Sequence, residues 1–188
     1  MITREKALTI LNEKLQNKNL VRHCLAVEAA MKALAKYFQA DEEKWGIVGL
    51  LHDGDWEATK DNFALHAKLM IQWLKQAGEN DQEIIKAILS HNFINNGEKP
   101  PQTPMEWALY TCDELTGLIV AVALVMPDKK LSSVTVESVL KKFSSKSFAA
   151  GANRLQIKMA EEKLGIKLPD FIGIVLRSMQ AIASDLGL

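Results

Sequence analysis

The sequence predicts an all-α protein, on three observations. Apolar residues recur near 3.6-residue spacing, the leading segments show none of the alternation of a strand, and capping and breaking residues stand where helices must begin and end. With 188 residues and 48% apolar content, the chain can bury roughly 70% of its unfolded surface in one well-packed unit. It carries no repeat and no low-complexity linker, so residues 1–188 are expected to form a single domain.

Ala7, Leu8, Leu11 and Leu15 mark a first helix, and Leu20, Cys24, Val27, Met31, Leu34 and Phe38 a second. Asp41, Glu42 and Glu43 can satisfy free amides and complement the dipole at the start of a third, which runs through Trp45, Val48 and Leu51 to His52. Gly54 follows, and its backbone freedom is expected to let the chain leave the helix so that Asp53 turns into a cleft. Leu65, Leu69, Met70 and Trp73 predict a helix ending near Gly78, and Ile84, Ile85 and Ile88 one that reaches His91.

The stretch 92–102 holds Asn95, Asn96, Gly97, Pro100 and Pro101, a composition suited to an irregular loop at the rim of a site. Thr103-Pro104-Met105-Glu106 restarts the helix: threonine caps, proline suits the first position, and Glu106 completes a capping box. That helix is expected to run to about Met126, where Pro127 stops it. Helices over Val136–Phe143, Asn153–Leu164 (ended by Gly165) and Pro169–Leu186 complete the chain.

Lysine and arginine together number 23, as do aspartate and glutamate, so no net field favours nucleic acid or an anionic membrane. Any anionic ligand must be held locally. The longest apolar stretch, Leu118 to Met126, is short of the ~20 residues of a bilayer span, and residues 1–16 are amphipathic and charged. The expectation is a soluble cytoplasmic protein. Cys24 and Cys112 are too few for a disulfide framework or a zinc ribbon, which suits a reducing compartment, and they read as small buried apolar residues.

All four histidines lie between residues 23 and 91: His23, His52, His66 and His91. Asp53 follows His52, and Asp113 stands one turn after Leu109. Four imidazoles and two carboxylates suit Fe, Mn, Zn or Co at an open catalytic centre. His23 lies one turn before Val27 and His66 one turn before Met70, so both are expected on inward helix faces. A single histidine there is an ordinary core residue. Four of them with two acids would be costly to bury unpaired, and a shared cation removes that cost by using neutral imidazoles and ionised carboxylates.

In the order His23, His52-Asp53, Asp113, the chain resembles the HD-domain superfamily of metal-dependent phosphohydrolases, whose motif is a histidine, an adjacent His-Asp pair and a distant aspartate on a later helix. The resemblance spans about residues 20–118. It implies an HD-type helical bundle, with residues 119–188 as a C-terminal helical extension. The whole chain also resembles a group of small bacterial HD proteins described as predicted hydrolases. His66 and His91 match the two further histidines of dinuclear members, such as the HD-GYP phosphodiesterases and the symmetrical diadenosine tetraphosphatases. The resemblance therefore implies that His23, His52, Asp53 and Asp113 bind a first metal and that Asp53 bridges to a second held by His66 and His91. It implies two divalent ions, Fe or Mn ahead of Zn, Co, Ni or Mg, whose shared water is acidified and attacks phosphorus in line. No Ser-His or Cys-His nucleophile pair is required for that chemistry, and the chain has neither a Walker loop nor a GxGxxG fingerprint.

Many dinuclear members continue His-Asp-x-x-Lys, whereas this chain runs His52-Asp53-Gly54-Asp55-Trp56-Glu57. Asp55 is read beside Asp53 as a catalytic carboxylate that orients bound water or a ligating histidine. Glu57 is either a second such helper or a loop acid, and Lys60 replaces the missing lysine only if the loop folds back. For substrate phosphate, the basic stretch from Lys141 to Arg154 offers Lys146 and Arg154. Arg154 opens a helix, where a cation opposes the dipole, so an external anion is its expected partner. Trp56, in the loop beside the dyad, can stack on a nucleobase, while Trp73 and Trp107 read as core.

Together these readings predict metal-dependent hydrolysis of a phosphate ester or anhydride in a small molecule, nucleotides included, with room for a homo-oligomer. Two alternatives stay open: a mixed-valent di-iron oxygenase on the same six ligands, and a noncatalytic, metal-dependent nucleotide-binding module.

Overall fold

The computed structural model describes residues 1–188 as helices and turns, without a strand. The order is α1 (Arg4–Lys14), α2 (Lys18–Tyr37), α3 (Glu42–Leu51), α4 (Trp56–Thr59), α5 (Lys68–Gln76), α6 (Gln82–His91), α7 (Phe93–Asn96), α8 (Pro104–Leu124), α9 (Val136–Phe143), α10 (Arg154–Leu164), α11 (Leu168–Ala181) and α12 (Ala183–Leu186). The all-α prediction stands. Short polar side chains start most of the longer helices: Asn17, Asp41, Asp81, Thr103 and Asn153 each accept an amide of the first turn, which water would otherwise have to satisfy.

Helices α2 and α8 form the axis on which α3, α6, α9, α10, α11 and α12 pack, while α1 joins through α3 and α5 through α6. On α2, Cys24, Val27, Met31 and Leu34 are buried against α3, α8 and α11. Helix α8 is 21 residues long and, by length and composition, apolar enough to cross a bilayer; instead 61% of its most apolar window is buried inside the protein, under α2, α6 and α10. The apolar cluster runs from Ile2 to Leu186, so the helices beyond residue 118 complete the same core that α2 and α8 begin.

One close approach positions the site. A Cβ on Gly49 would lie 2.8 Å from the Val27 carbonyl oxygen and 2.9 Å from the Glu28 amide nitrogen, so α3 rests directly on the backbone of α2. His52, which caps α3, is thereby brought beside His23 of α2, with ring centroids 5.2 Å apart.

Several local expectations are corrected. The helix expected through Leu65 and His66 begins only at Lys68, because Ala67 takes φ 71°; Leu65 is half exposed and His66 sits in the preceding turn. Gly54 has no positive φ. A Cβ there would stand 2.6 Å from the Met70 sulfur, so packing, and not a turn, requires the glycine. Glu106 accepts from the amide of Gln102, one residue before the Thr103 cap, so the expected reciprocal box is displaced by one residue. The 92–102 segment contains the short α7, ended by Gly97 at φ 75°. The last helix divides at Ile182, which leaves the helical region at φ −119° and ψ 23°. Trp73 and Trp107 are half-buried at the edge of the core, with Lys14 and Lys163 over their rings.

Candidate metal centre

Six side chains converge in the fold. They arrive from separate elements: His23 from α2, His52 from the cap of α3, Asp53 from the turn after it, His66 from the turn before α5, His91 from the end of α6, and Asp113 from α8. They form two triads whose ligand atoms lie within 4.8 Å of one another, His23, His52 and Asp113 in one and Asp53, His66 and His91 in the other. Asp53 faces both. Its Oδ2 is 3.7 Å from His23 Nε2, while its Oδ1 is 3.1 Å from His66 Nε2 and 3.5 Å from His91 Nε2. Asp113 Oδ1 lies 3.0 Å from His23 Nε2 and 3.5 Å from His52 Nε2.

The backs of the rings explain why all four present Nε2. His52 Nδ1 faces the Gly49 carbonyl at 2.8 Å, and His91 Nδ1 faces the carbonyl of Ile88, each one turn earlier on its own helix. His66 Nδ1 faces Asp55 Oδ1 at 2.7 Å. His23 Nδ1 lies 3.4 Å from the Thr116 hydroxyl, which itself donates to the Asp113 carbonyl and so offers its lone pair to the ring. With each Nδ1–H directed to an acceptor, Nε2 is the nitrogen left to offer a lone pair to a metal, which would displace any proton held there. Two findings test the fit. His52 Nε2 is buried with no hydrogen-bond partner, and the Nε2 atoms of His66 and His91 converge to 3.1 Å, where two lone pairs repel unless a proton or a metal ion is shared there. The residues fit a divalent metal.

Electrostatics agree. Burial opposes charge on His52, but Asp53 and Asp113 outweigh it and raise its pKa to about 9. At His66, burial is likewise outweighed, here by hydrogen bonds to Asp53 and Asp55, and the pKa again reaches about 9. Burial would push both aspartates up, yet the facing histidines hold Asp53 and Asp113 well below the ordinary carboxylate range. The centre attracts positive charge strongly.

Asp55 lies behind the centre. It is fully buried, and its second oxygen accepts the Met70 amide at 2.9 Å. It contributes nothing to the cavity wall, so the catalytic role expected for it becomes a positioning role through His66, the other half of the same expectation. Glu57, expected in a loop, lies in the first turn of α4 and accepts the amides of Gln16 and Asn17, a structural tie.

A cavity of about 550 Å³ opens over the triads, lined by Asp53, Asp113 and three of the histidines, and further out by Trp56, Phe63, Tyr110 and Glu114. Trp56 is there as expected, perpendicular to His66 at 5.1 Å. Arg154 and Lys146 are not. The Arg154 guanidinium donates to the carbonyls of Phe148, Ala149 and Ala152, so its partner is its own preceding loop and not an external anion; Lys146 is exposed outside the walls, as is Lys60. Cys24 and Cys112 are buried, and burial pushes both thiols well up, which leaves them inert.

Sequence reading passed over Thr116 and Asn92. Thr116 stands three residues after Asp113, a spacing that places both on one helix face and would have pointed to it. Asn92 donates to the carbonyls of Phe63 and His66, a long-range tie without a local signal.

The family model of the HD domain matches residues 20–123, over half of the chain. The protein belongs to the HD-domain family. All six converging residues fall within the HD domain, and residues 124–188 lie outside it while supplying Ala149, Gly151, Ala152 and Gln156 to the cavity wall. No curated protein matches the chain.

Proposed function

We propose that this centre binds two divalent metal ions and hydrolyses a phosphate ester or anhydride in a small molecule. The observation that carries the reading is Asp53, whose carboxylate lies between the triads: Oδ2 is 3.7 Å from His23 Nε2, and Oδ1 is 3.6 Å from His52 Nε2, 3.1 Å from His66 Nε2 and 3.5 Å from His91 Nε2. His23, His52 and Asp113 would hold one ion, His66 and His91 the other, and Asp53 both. Bound there, divalent ions supply Lewis acidity and offset phosphoryl charge.

The chain's own residues then have separable tasks. Thr116, Asp55 and the carbonyls of Gly49 and Ile88 hold the four rings in the Nε2-presenting tautomer. Trp56 walls the site beside His66, limiting water on that side.

Asp53→Ala tests the reading: bound metal and phosphate release across a panel of phosphate esters and anhydrides should both be lost, and unaltered turnover would overturn the assignment. Anaerobic purification with spin resonance separates the alternatives. A redox-inert metal that supports phosphate release favours hydrolysis, whereas an oxygen-sensitive mixed-valent signal moves the assignment to a di-iron oxygenase.

A further inference from the structure

The cavity over the metal centre is short of positive charge. The chain has 23 lysines and arginines, yet none lines the cavity, whose walls add the carboxyl group of Glu114 to those of Asp53 and Asp113. A helix start beside the wall could receive an anion, but it is occupied: Asn153 Oδ1 accepts the amides of Leu155 and Gln156, and Glu114 Oε2 accepts the amide of Asn153 at 2.9 Å. Another part of the wall is aromatic and apolar. Trp56 and Phe63 stand 5.3 Å apart, and Phe63 and Ile94 leave 43% and 69% of their surfaces exposed at the rim. Gly117 and Gly151 keep the space wide, since a Cβ on either would meet no atom within 4 Å.

Resting on the hydrolase reading above, we propose that the cavity selects a single phosphate monoester carried by an aromatic group and discriminates against di- and triphosphates. Bound cations are the only counter-charge the site can offer, and three carboxyl groups offset much of it. What remains suits one phosphate dianion and not the tetra-anion of a triphosphate. The ring buries against Trp56, Phe63 and Ile94, where stacking raises affinity roughly two- to tenfold. Hydrolysis forms one O–P bond from water and breaks the P–O bond to the ring-bearing group, and the proton from water ends on the departing oxygen. An aryl phosphate and a nucleoside monophosphate share this chemistry.

The test gives the full-length, manganese-loaded protein para-nitrophenyl phosphate, a nucleoside monophosphate and the matching triphosphate in metal-buffered solution. In parallel, calorimetry measures binding of phenylphosphonate and methylphosphonate, which cannot be hydrolysed at the P–C bond. The expected result is a kcat/KM about tenfold or more higher for a monoester than for the triphosphate, with phenylphosphonate bound severalfold more tightly than methylphosphonate. Phe63→Ala should remove much of that aromatic advantage at unchanged metal content. Gly117→Arg, which places a cation in the open space of the wall, should narrow the ratio of monoester to triphosphate. A triphosphate hydrolysed as well as both monoesters overturns the proposal, and so do phosphonates of equal affinity. Should no phosphate be hydrolysed while phenylphosphonate keeps its advantage, the hydrolase reading falls and the ligand class stands. Either order among the two monoesters supports the proposal and names the source, a plain ring or a nucleobase with its sugar.

Discussion

Replacing Asp55 by Asn keeps the volume behind His66 but sets an amide where two N–H groups now find acceptors, the imidazole Nδ1–H and the Met70 amide. One of them must lose its partner, at a cost of about 1–3 kcal/mol for a buried donor. Asp55→Asn should lower metal affinity at the Asp53, His66 and His91 triad by roughly ten- to a hundredfold while the other triad keeps its ion. Metal titration followed by melting-temperature measurement checks this; equal loss at both triads would deny Asp55 its particular link to His66. His66→Ala asks how many metals bind. Metal content should fall by half, and an unchanged stoichiometry sinks the second ion while leaving the His23, His52 and Asp113 site intact.

Among elements, the contact of α3 with α2 governs the geometry. Gly49→Ala would drive a methyl group into the α2 backbone, which cannot yield as a side chain can, so a loss of about 1–3 kcal/mol or more is expected. Because the same contact sets His52 against His23, the variant should also bind metal more weakly, as a thermal melt with and without Mn²⁺ will show. Gly54→Ala meets the flexible thioether of Met70 instead and should cost less. Helical periodicity made nearly every long element legible, since apolar spacing and caps act within one turn of the chain. It failed at His66. Leu65, Leu69 and Met70 keep helical spacing, yet the turn through Ala67 is held by Asn92, 26 residues beyond His66, and by Asp55, and neither tie leaves a mark in the local pattern.

For the whole molecule, the charge cluster makes stability depend on pH and metal together. His52 and His66, raised from 6.5 to about 9, stabilise the metal-free protein below pH 6.5, and that contribution is lost as pH climbs through 9. Asp53 and Asp113, depressed from 3.8, contribute above that value and lose their effect as pH falls. The metal-free protein should therefore be most stable between about pH 4 and 6.5 and melt progressively lower towards pH 9. Metal replaces protons on the imidazoles, so its affinity should rise over the same interval. Melting curves with chelator and with Mn²⁺ should diverge as pH increases, and parallel curves would count against a shared proton and metal site.

Residue types and their order were open to sequence reading: an all-α chain, its caps, and the order His23, His52-Asp53, Asp113 that resembles the HD domain, with His66 and His91 as further candidates for a metal. Such a set points to a cation, because imidazole and carboxylate are costly to bury unpaired. Tertiary structure decided the roles of their neighbours. Asp55 and Trp56 are adjacent in sequence, but one is sealed behind His66 and the other walls the cavity. Arg154 has the charge to bind phosphate but folds onto its own loop, and Glu114 holds the helix start that could have received an anion. The physical reason is that a polar group is claimed by whichever partner folding brings within about 3 Å, and that partner is set by distant elements and not by sequence neighbours.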